Sequence, residues 1–351
     1  MRVLVTGGLG FIGSAVIRLL VNETEHDVVN IDSGTYAASR HSVAAVVDSL
    51  RYSHVEVDIT DEAAVAETFA AFNPGAVIHL AAETHVDRSI NDPAAFVETN
   101  VVGTLSVLQA ARSYWSRLAS SRRDRFRFVH VSTDEVFGSL GPDDPPFSEA
   151  SAYRPRSPYA ASKAGSDHLV AAWHHTYGLP VVVTNSSNNY GPFQFPEKLI
   201  PLMVARALQQ RRLPVYGKGD QVRDWLHVDD HARALVAALE RAEPGARFAL
   251  GGNSERTNLE VIETLCALLD ERQPQGAPHR QLIEFVADRP GHDQRYALDS
   301  SDARRCLGWE PAVSFAEGLA ATIDWYLENQ DWTQAVLEDR YDLERLGDVI
   351  R

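Results

Sequence analysis

The stretch "LVTGGLGFIGS", Leu4 to Ser14, constrains this chain more than any other. An apolar run feeds into Gly7, Gly10 and Gly13, and a helical pattern follows. Strand, glycine turn and helix in that order open a dinucleotide-binding βαβ unit. The first glycine permits a tight turn. The second lets the backbone approach a pyrophosphate at the helix N-terminus, and the third lets helix and strand pack closely. The competing reading is a glycine-rich turn without a ligand.

The rest of the first half fits such a unit. "DVVNID", "VEVD", "AVIHLAA", "FRFVHVST" and "PVVVTNSS" read as further strands, several of them continuous apolar runs. Strands of that kind are covered on both faces. The segments between them, such as Ser14–Asn22 and Phe96–Leu118, carry helical periodicity. The expected fold class is α/β, a Rossmann-like doubly wound parallel sheet. After about Asn185 proline and glycine become frequent and strands sparse, which predicts a smaller, mixed substrate lobe. The segment His227–Ala238 reads as a strand end and helix returning to the first domain. The expected division is 1–184 with a return segment at about 226–250, against 185–225 with 251–351.

At 351 residues and 44% hydrophobic, the chain can bury a real core. Its net charge of −15 argues against broad nucleic-acid or anionic-membrane binding. Cys266 and Cys306 are its two cysteines, with no CxxC, so neither a disulfide framework nor a thiolate metal site is expected. A reducing cytoplasm and no metal are the matching expectations. "MRVLVTGG" enters a strand directly, with no signal-peptide pattern, and no apolar run approaches the roughly 20 residues of a membrane span.

Asp32 closes the second strand. A carboxylate there accepts hydrogen bonds from a ribose diol and repels a 2′-phosphate. Ser33 and Gly34 follow it, not arginine, so NAD is expected over NADP. Asp58 and Ile59 end the third strand and should flank the adenine. Small Ala81 and Ala82 would let the cofactor lie across the fourth. His79 and His130, within strands, read as hydrogen-bonded core histidines.

"FVHVSTDEVFG" (Phe128–Gly138) sets two carboxylates inside an apolar run. Neighbouring side chains of a strand point to opposite faces. Asp134 and Glu135 can share one cleft only if the strand ends there, at the carboxyl edge where parallel sheets bind ligands. Close like charges help separate two carboxyl pKa values, one kept protonated and one ionised. An exposed turn with two solvated acids is the alternative. "SPYAASK" then sets Tyr159 four residues before Lys163, on one helix face. An ammonium beside a phenol lowers its pKa, so Tyr159 could take an alcohol proton while hydride leaves for NAD.

With these motifs in place, the sequence resembles the extended short-chain dehydrogenase/reductase family over nearly its whole length. Within it, "HLAAETHVDRSI", "VSTDEVFG", "SPYAASKAGSDHL", "SNNYGPFQFPEKLIPL", "VYGKGDQVRDWLHVDDHARAL" and "RPGHDQRYALD" are most similar to the dTDP-glucose 4,6-dehydratases. The resemblance implies C4 oxidation by NAD, loss of water across C5 and C6, and hydride return to C6. Thr133 would polarise the sugar 4-hydroxyl beside Tyr159. Asp134 would protonate the departing 6-hydroxyl, and Glu135 would remove the C5 proton. Phe11, Ile12, Thr35, Leu80 and Thr99 join the cofactor set. Thr84, Asn189, Glu197, Lys198, Leu199, Tyr216, Arg223, Asn258, Arg289 and His292 match the substrate-binding motifs. Arg223 and Arg289 suit an oxygen-rich diphosphate.

Thr84, Phe193, Gln194 and the "TYAAS" of Thr35–Ser39 depart from the usual family pattern, which leaves room for another nucleotide sugar such as UDP-glucose. A 4-epimerase or decarboxylase of the same fold would share Tyr159 and Lys163 without requiring Asp134 and Glu135. A non-catalytic NAD-binding sensor would need neither set. Two helices, roughly Pro93–Trp115 and Tyr159–Tyr177, should pair with their copies in a homodimer. Val101, Leu105, Leu108, Leu169 and Trp173 fit that seam or an ordinary core.

Overall fold

The computed structural model describes residues 1–338 and 341–344; residues 339–340 and 345–351 of the expected second lobe lie outside the described residues. The strands are β1 (Arg2–Thr6), β2 (Asp27–Asp32), β3 (Tyr52–Glu56), β4 (Ala76–His79), β5 (Arg127–Thr133) and β6 (Val181–Ser186). They continue as β7 (Asn188–Tyr190), β8 (Leu213–Tyr216), β9 (Val222–His227), β10 (Arg247–Leu250), β11 (Glu255–Thr257) and β12 (Ile283–Val286).

Seven of these form one parallel sheet in the order β10-β6-β5-β4-β1-β2-β3. The chain order reverses between β1 and β4, and ligands bind outside the carboxyl ends at such a reversal. Side chains of β1 show why its run is unbroken. Val3 and Val5 enter one core with Val16, Ile17 and Leu20 of the helix Phe11–Glu23 and Leu235 of the helix Val228–Arg241. Leu4 enters the opposite core with Phe69, Val107 and Leu108. Each such side chain contributes about 1.5–3 kcal/mol on burial, so both faces demand apolar residues.

Two elements differ from expectation. The third strand runs Tyr52–Glu56, and Val57 and Asp58 lie beyond its end. It is an edge strand with half-exposed side chains, so its apolar pattern is weak. The long helix expected over Phe96–Leu118 begins earlier and contains a wider turn. Pro93–Val97 and Thr104–Trp115 are α-helical, while Glu98–Gly103 is π-helical. Such insertions occur mostly at functional sites, and here the segment carries Thr99 and Asn100.

The second lobe holds more strands than its sequence suggests. β9 pairs with β7 and β11, and β8 with β12. They surround a third core that includes Tyr190, Met203, Val215, Leu265, Phe315 and Ile323. Residues of the helix Val228–Arg241 pack into the core of β1, and β10 joins the parallel sheet beside β6. The segment 301–309 reaches the same core. Ala303, Leu307 and Trp309 pack into the core of β1, and the Trp309 indole donates to Asp230 O at 2.9 Å.

Candidate active site

A single cleft runs along the carboxyl ends of the parallel strands. Its cavity volume of about 320 Å³ falls within the roughly 300–1,000 Å³ of a small-molecule site. Every residue expected to hold the cofactor lines it.

The nucleotide half is built by the glycine turn. Gly7 has φ of +72°, and a Cβ on it would meet the Ala81 backbone at 2.7 Å. A Cβ on Gly13 would meet Gly7 O at 2.2 Å. The turn therefore lies hard against the β4 end and the first helical turn, leaving a cradle at the N-terminus of Phe11–Glu23. Asp32 is buried, and each of its oxygens accepts one backbone N–H at 2.9 Å, from Leu9 and from Gly34. A carboxylate has about four acceptor positions, so it can also receive a ribose hydroxyl. Thr6 fastens the next strand end: Leu80 and Ala81 N–H both donate to its hydroxyl. These residues fit an NAD molecule. His79 is hydrogen-bonded through both nitrogens, to Thr6 and Thr104. His130 reaches Asp167 through Nε2, while its buried Nδ1 lacks a partner.

The reacting half begins where β5 stops. The strand ends at Thr133, and Asp134–Phe137 coil into a single 3₁₀ turn. The break removes the strand's alternation, so Asp134 and Glu135 both line the cleft with Thr133. Thr133 Oγ1 donates to Asp134 Oδ1 at 3.2 Å and accepts the Glu135 N–H. Asp134 Oδ2 is buried without a partner. Burial, then the Glu135 charge, raises the Asp134 pKa well above the ordinary carboxylate value. Burial raises Glu135 too, but Arg289, Arg223 and Lys198 oppose it. Asp134 is thus the acid biased more strongly toward its protonated form, while Glu135 faces a cationic group of side chains.

Tyr159 follows Pro158 in the first turn of the helix Pro158–Tyr177, which Ser157 caps by accepting the Ala160 N–H at 3.0 Å. Its hydroxyl hydrogen-bonds Thr133. The expected depression of its pKa by Lys163 is not seen. Burial and the Glu135 charge push the phenol upward, and the Lys163 ammonium donates instead to Val131 O at 2.9 Å. Burial lowers Lys163 itself to about 8.

The expected substrate residues divide. Thr84, Asn189, Glu197 and Lys198 line the cleft. The Asn189 side chain is engaged within the protein, donating to Ser187 O and meeting His231 Nδ1 at 2.8 Å. Arg223 lies over the Tyr296 ring and donates to Asp293 O. Tyr216 and Arg289 both reach Asp87, at 2.9 and 3.5 Å. His292 packs edge-on to Tyr216. Leu199 opens a helix and packs toward the third core, and the Asn258 N–H donates to Gln221 O; these two, like Tyr216, Arg223, Arg289 and His292, are not among the residues that line the cleft. Reading the sequence missed Ser132, Ser187 and Asn188, which line the cleft with unpartnered buried oxygens. Their position at or just beyond the carboxyl ends of β5 and β6 was the available signal.

Known proteins agree with this geometry. The family model described as GDP-mannose 4,6 dehydratase matches residues 4–322. dTDP-glucose 4,6-dehydratase 1 of Escherichia coli K12 is 54% identical over 349 residues, 97% of each chain. The dTDP-glucose 4,6-dehydratase of Neisseria meningitidis serogroup B is 53% identical over 99% of each. The crystal structure of the Streptomyces venezuelae dTDP-glucose 4,6-dehydratase with NAD and TYD bound is 44% identical, with a TM-score of 0.87 over 96% of this chain and 100% of that one. A parallel sheet with this switch point, a glycine cradle fitted to NAD, and identity sustained over almost the full length of these relatives have one explanation: the chain belongs to the dTDP-glucose 4,6-dehydratases, NAD-dependent members of the extended short-chain dehydrogenase/reductase family.

Proposed function

We propose that the cleft converts dTDP-glucose to dTDP-4-keto-6-deoxyglucose. The observation that carries this reading is the end of β5, where Thr133, Asp134 and Glu135 share the cleft with Tyr159. NAD, when bound, accepts hydride from C4, returns it to C6 and brings positive charge into the cleft. Tyr159, ionised beside that positive charge, takes the O4 proton as its phenolate while the C4 hydride leaves, and the relay to Asp134 regenerates the phenolate. The 4-ketone acidifies the C5 hydrogen, which Glu135 removes. Asp134 protonates the departing 6-hydroxyl, which leaves as water. After hydride reaches C6, Glu135 returns a proton to C5. The Thr133 hydroxyl contacts both the Tyr159 phenol and Asp134, so the O4 proton has a path that restores Asp134. Atoms balance to loss of one water, with no net redox change.

The nucleotide diphosphate faces Lys198, Arg223 and Arg289 on this reading, three cations acting on one site in a chain of net charge −15. Product analysis tests the proposal. dTDP-glucose should lose about 18 mass units without added reductant, the mass of one water. A C4 epimer of unchanged mass would make this a 4-epimerase. Turnover of UDP-glucose or GDP-mannose in preference would move the nucleotide assignment. No turnover with NAD bound would leave a sensor.

We also read the nucleotide-binding domain as 1–184 with its return at about 226–250, and the remainder as the sugar-nucleotide domain, amended by the 301–309 return. A homodimer through the helices at 93–115 and 158–177 is supported by exposed Val97, Val102 and Tyr177 along them, whereas Leu108 is buried in the interior and Leu169 and Trp173 pack against the same core. Cys266 and Cys306, both free thiols, suit a reducing cytoplasm. Among the described residues, no helix is long and apolar enough to cross a membrane.

A further inference from the structure

Glu197 joins three segments that are far apart in the chain. Its side chain is 1% exposed. Oε1 accepts the Tyr36 hydroxyl at 3.0 Å, and Oε2 accepts Arg88 Nε at 3.1 Å. The Arg88 guanidinium lies over the Tyr36 ring, 4.0 Å from its centroid. Tyr36 in turn meets Phe195 edge-on at 5.6 Å. A buried carboxylate held by two donors is stabilised, and losing either donor leaves charge exposed to a low dielectric. Burial and the Glu197 charge keep the Tyr36 hydroxyl protonated, so it remains a donor.

The joined segments border one cleft: Thr35 and Ala37, either side of Tyr36, line it, and so do Phe195, Glu197 and Lys198. Tyr36 follows Thr35 in the loop after β2, on the side of Asp32. Glu197, Phe195 and Lys198 belong to the loop that precedes the helix Leu199–Leu208. The short helix Val86–Asn91 ties both: Arg88 to Glu197, and its neighbour Asp87 to Tyr216 and Arg289 of the second lobe. Lys198 closes the same seam by donating to Thr84 O at 2.9 Å.

We propose that Tyr36 and Arg88 are positioning residues: they clasp Glu197 so that the loop around it closes over the adenosine side of the cleft, retaining NAD between turnovers and setting Lys198 for the sugar nucleotide. The inference rests on the reading of the two binding halves given above. It assigns Glu197 to the clasp, with both carboxylate oxygens occupied, and leaves Lys198 as the group that meets substrate. A redox-neutral reaction is the kind that gains from such retention, because the cofactor is regenerated in place.

The test is NAD exchange from holoenzyme. Load the enzyme with labelled NAD, add excess unlabelled NAD, and follow release. Tyr36→Phe keeps the ring and removes the donor; Glu197→Gln removes the charge. Each should speed release about tenfold or more, the scale of a lost hydrogen bond to a charged group. Because both act on one contact, the double variant should release no faster than the quicker single one. Arg88→Lys keeps the charge but loses the planar stack, and should fall between wild type and Glu197→Gln. At saturating NAD, KM for dTDP-glucose should rise more than kcat falls. Wild-type release rates in Tyr36→Phe, or multiplied effects in the double variant, would overturn the clasp. Should Tyr36→Phe fail to fold, Arg88→Lys with a wild-type release rate overturns it equally. Wild-type protein that yields no dinucleotide on denaturation would instead refute the cofactor reading.

Discussion

The Glu135 amide donates to the Thr133 hydroxyl across 3.2 Å, and with that bond β5 stops being a strand. Thr133 acts as the N-cap of the turn that follows, leaving the next two carboxylates free of strand alternation. The same hydroxyl donates to Asp134 and meets the Tyr159 phenol. One threonine thereby connects the group proposed for oxidation to the groups proposed for elimination.

The two stages should separate under mutation. Tyr159→Phe should abolish the first hydride transfer, so stopped flow should show no rise in reduced-cofactor absorbance on mixing with substrate. Glu135→Gln should keep that rise and let it persist, while C5 exchange with solvent deuterium slows. General acid–base losses of about 100- to 10,000-fold are expected. Equal loss of the absorbance rise in both variants would defeat the division.

Asp134 should trade stability for chemistry. Its folded-state pKa lies above its unfolded value, so the folded state holds the proton more tightly, and stability falls as pH rises through that interval. Asp134→Asn has no charge to bury. Its Tm should exceed that of wild type at pH 8 by about 2 °C or more, with the gain vanishing below about pH 3.8. Water loss should slow more than C5 exchange. A lower Tm at pH 8 would mean that the carboxylate form is the stabilised one.

Lys163, as a proposed catalytic cation, should set an alkaline limit. Its pKa is lowered to about 8 by burial, so the ammonium is lost as pH rises through that value. The rate should fall above about pH 8, and Lys163→Arg should move the limb upward at reduced rate because guanidinium stays charged. The stability sign is the reverse. The unfolded chain binds the extra proton between about 8 and the usual lysine value of about 10.4, so this group's burial penalty shrinks across that range. A pH profile unchanged in Lys163→Arg would remove Lys163 from the acid–base chemistry.

The cofactor cradle should not accept a methyl group. Gly13→Ala sets a Cβ 2.2 Å from Gly7 O, so the turn or the helix must shift. NAD affinity should drop at least about tenfold, with a lower Tm, both measurable by calorimetry. Gly34→Ala is the control for space: no heavy atom lies within 4 Å of its Cβ, though its φ of +68° still carries backbone strain. Undiminished NAD binding by Gly13→Ala would show that the cradle is not the pyrophosphate site.

The proposed dimer can be read by light scattering. Val102 is 39% exposed on the helical segment expected to pair. Val102→Asp should shift the population to monomer without lowering the monomer's stability by more than about 0.5 kcal/mol, the usual range for a surface change. A wild-type monomer at working concentration would end this proposal.

What the sequence determined by itself was the part written in local pattern. Unbroken apolar runs such as Val3–Val5 and Val181–Val183 implied a sheet covered on both faces, and the cores on its two sides bear that out. Glycines at 7, 10 and 13 implied the cradle, because only a tight turn needs them at that spacing. The carboxylates of "STDEVF" implied a strand end, because alternation forbids both from sharing a face otherwise. Tertiary structure decided the rest. β3 was misplaced because an edge strand buries little and carries a weak pattern. The Lys163 charge fell on Val131 O instead of the Tyr159 phenol, since a helical i,i+4 spacing fixes a common face but not where a long side chain ends. Tyr36 and Glu197 stand 161 positions apart in the chain, and no local rule joins them. Their contact exists only because the second lobe folds back over the carboxyl ends of the sheet, where a buried carboxylate must find its donors among whatever segments the fold brings there.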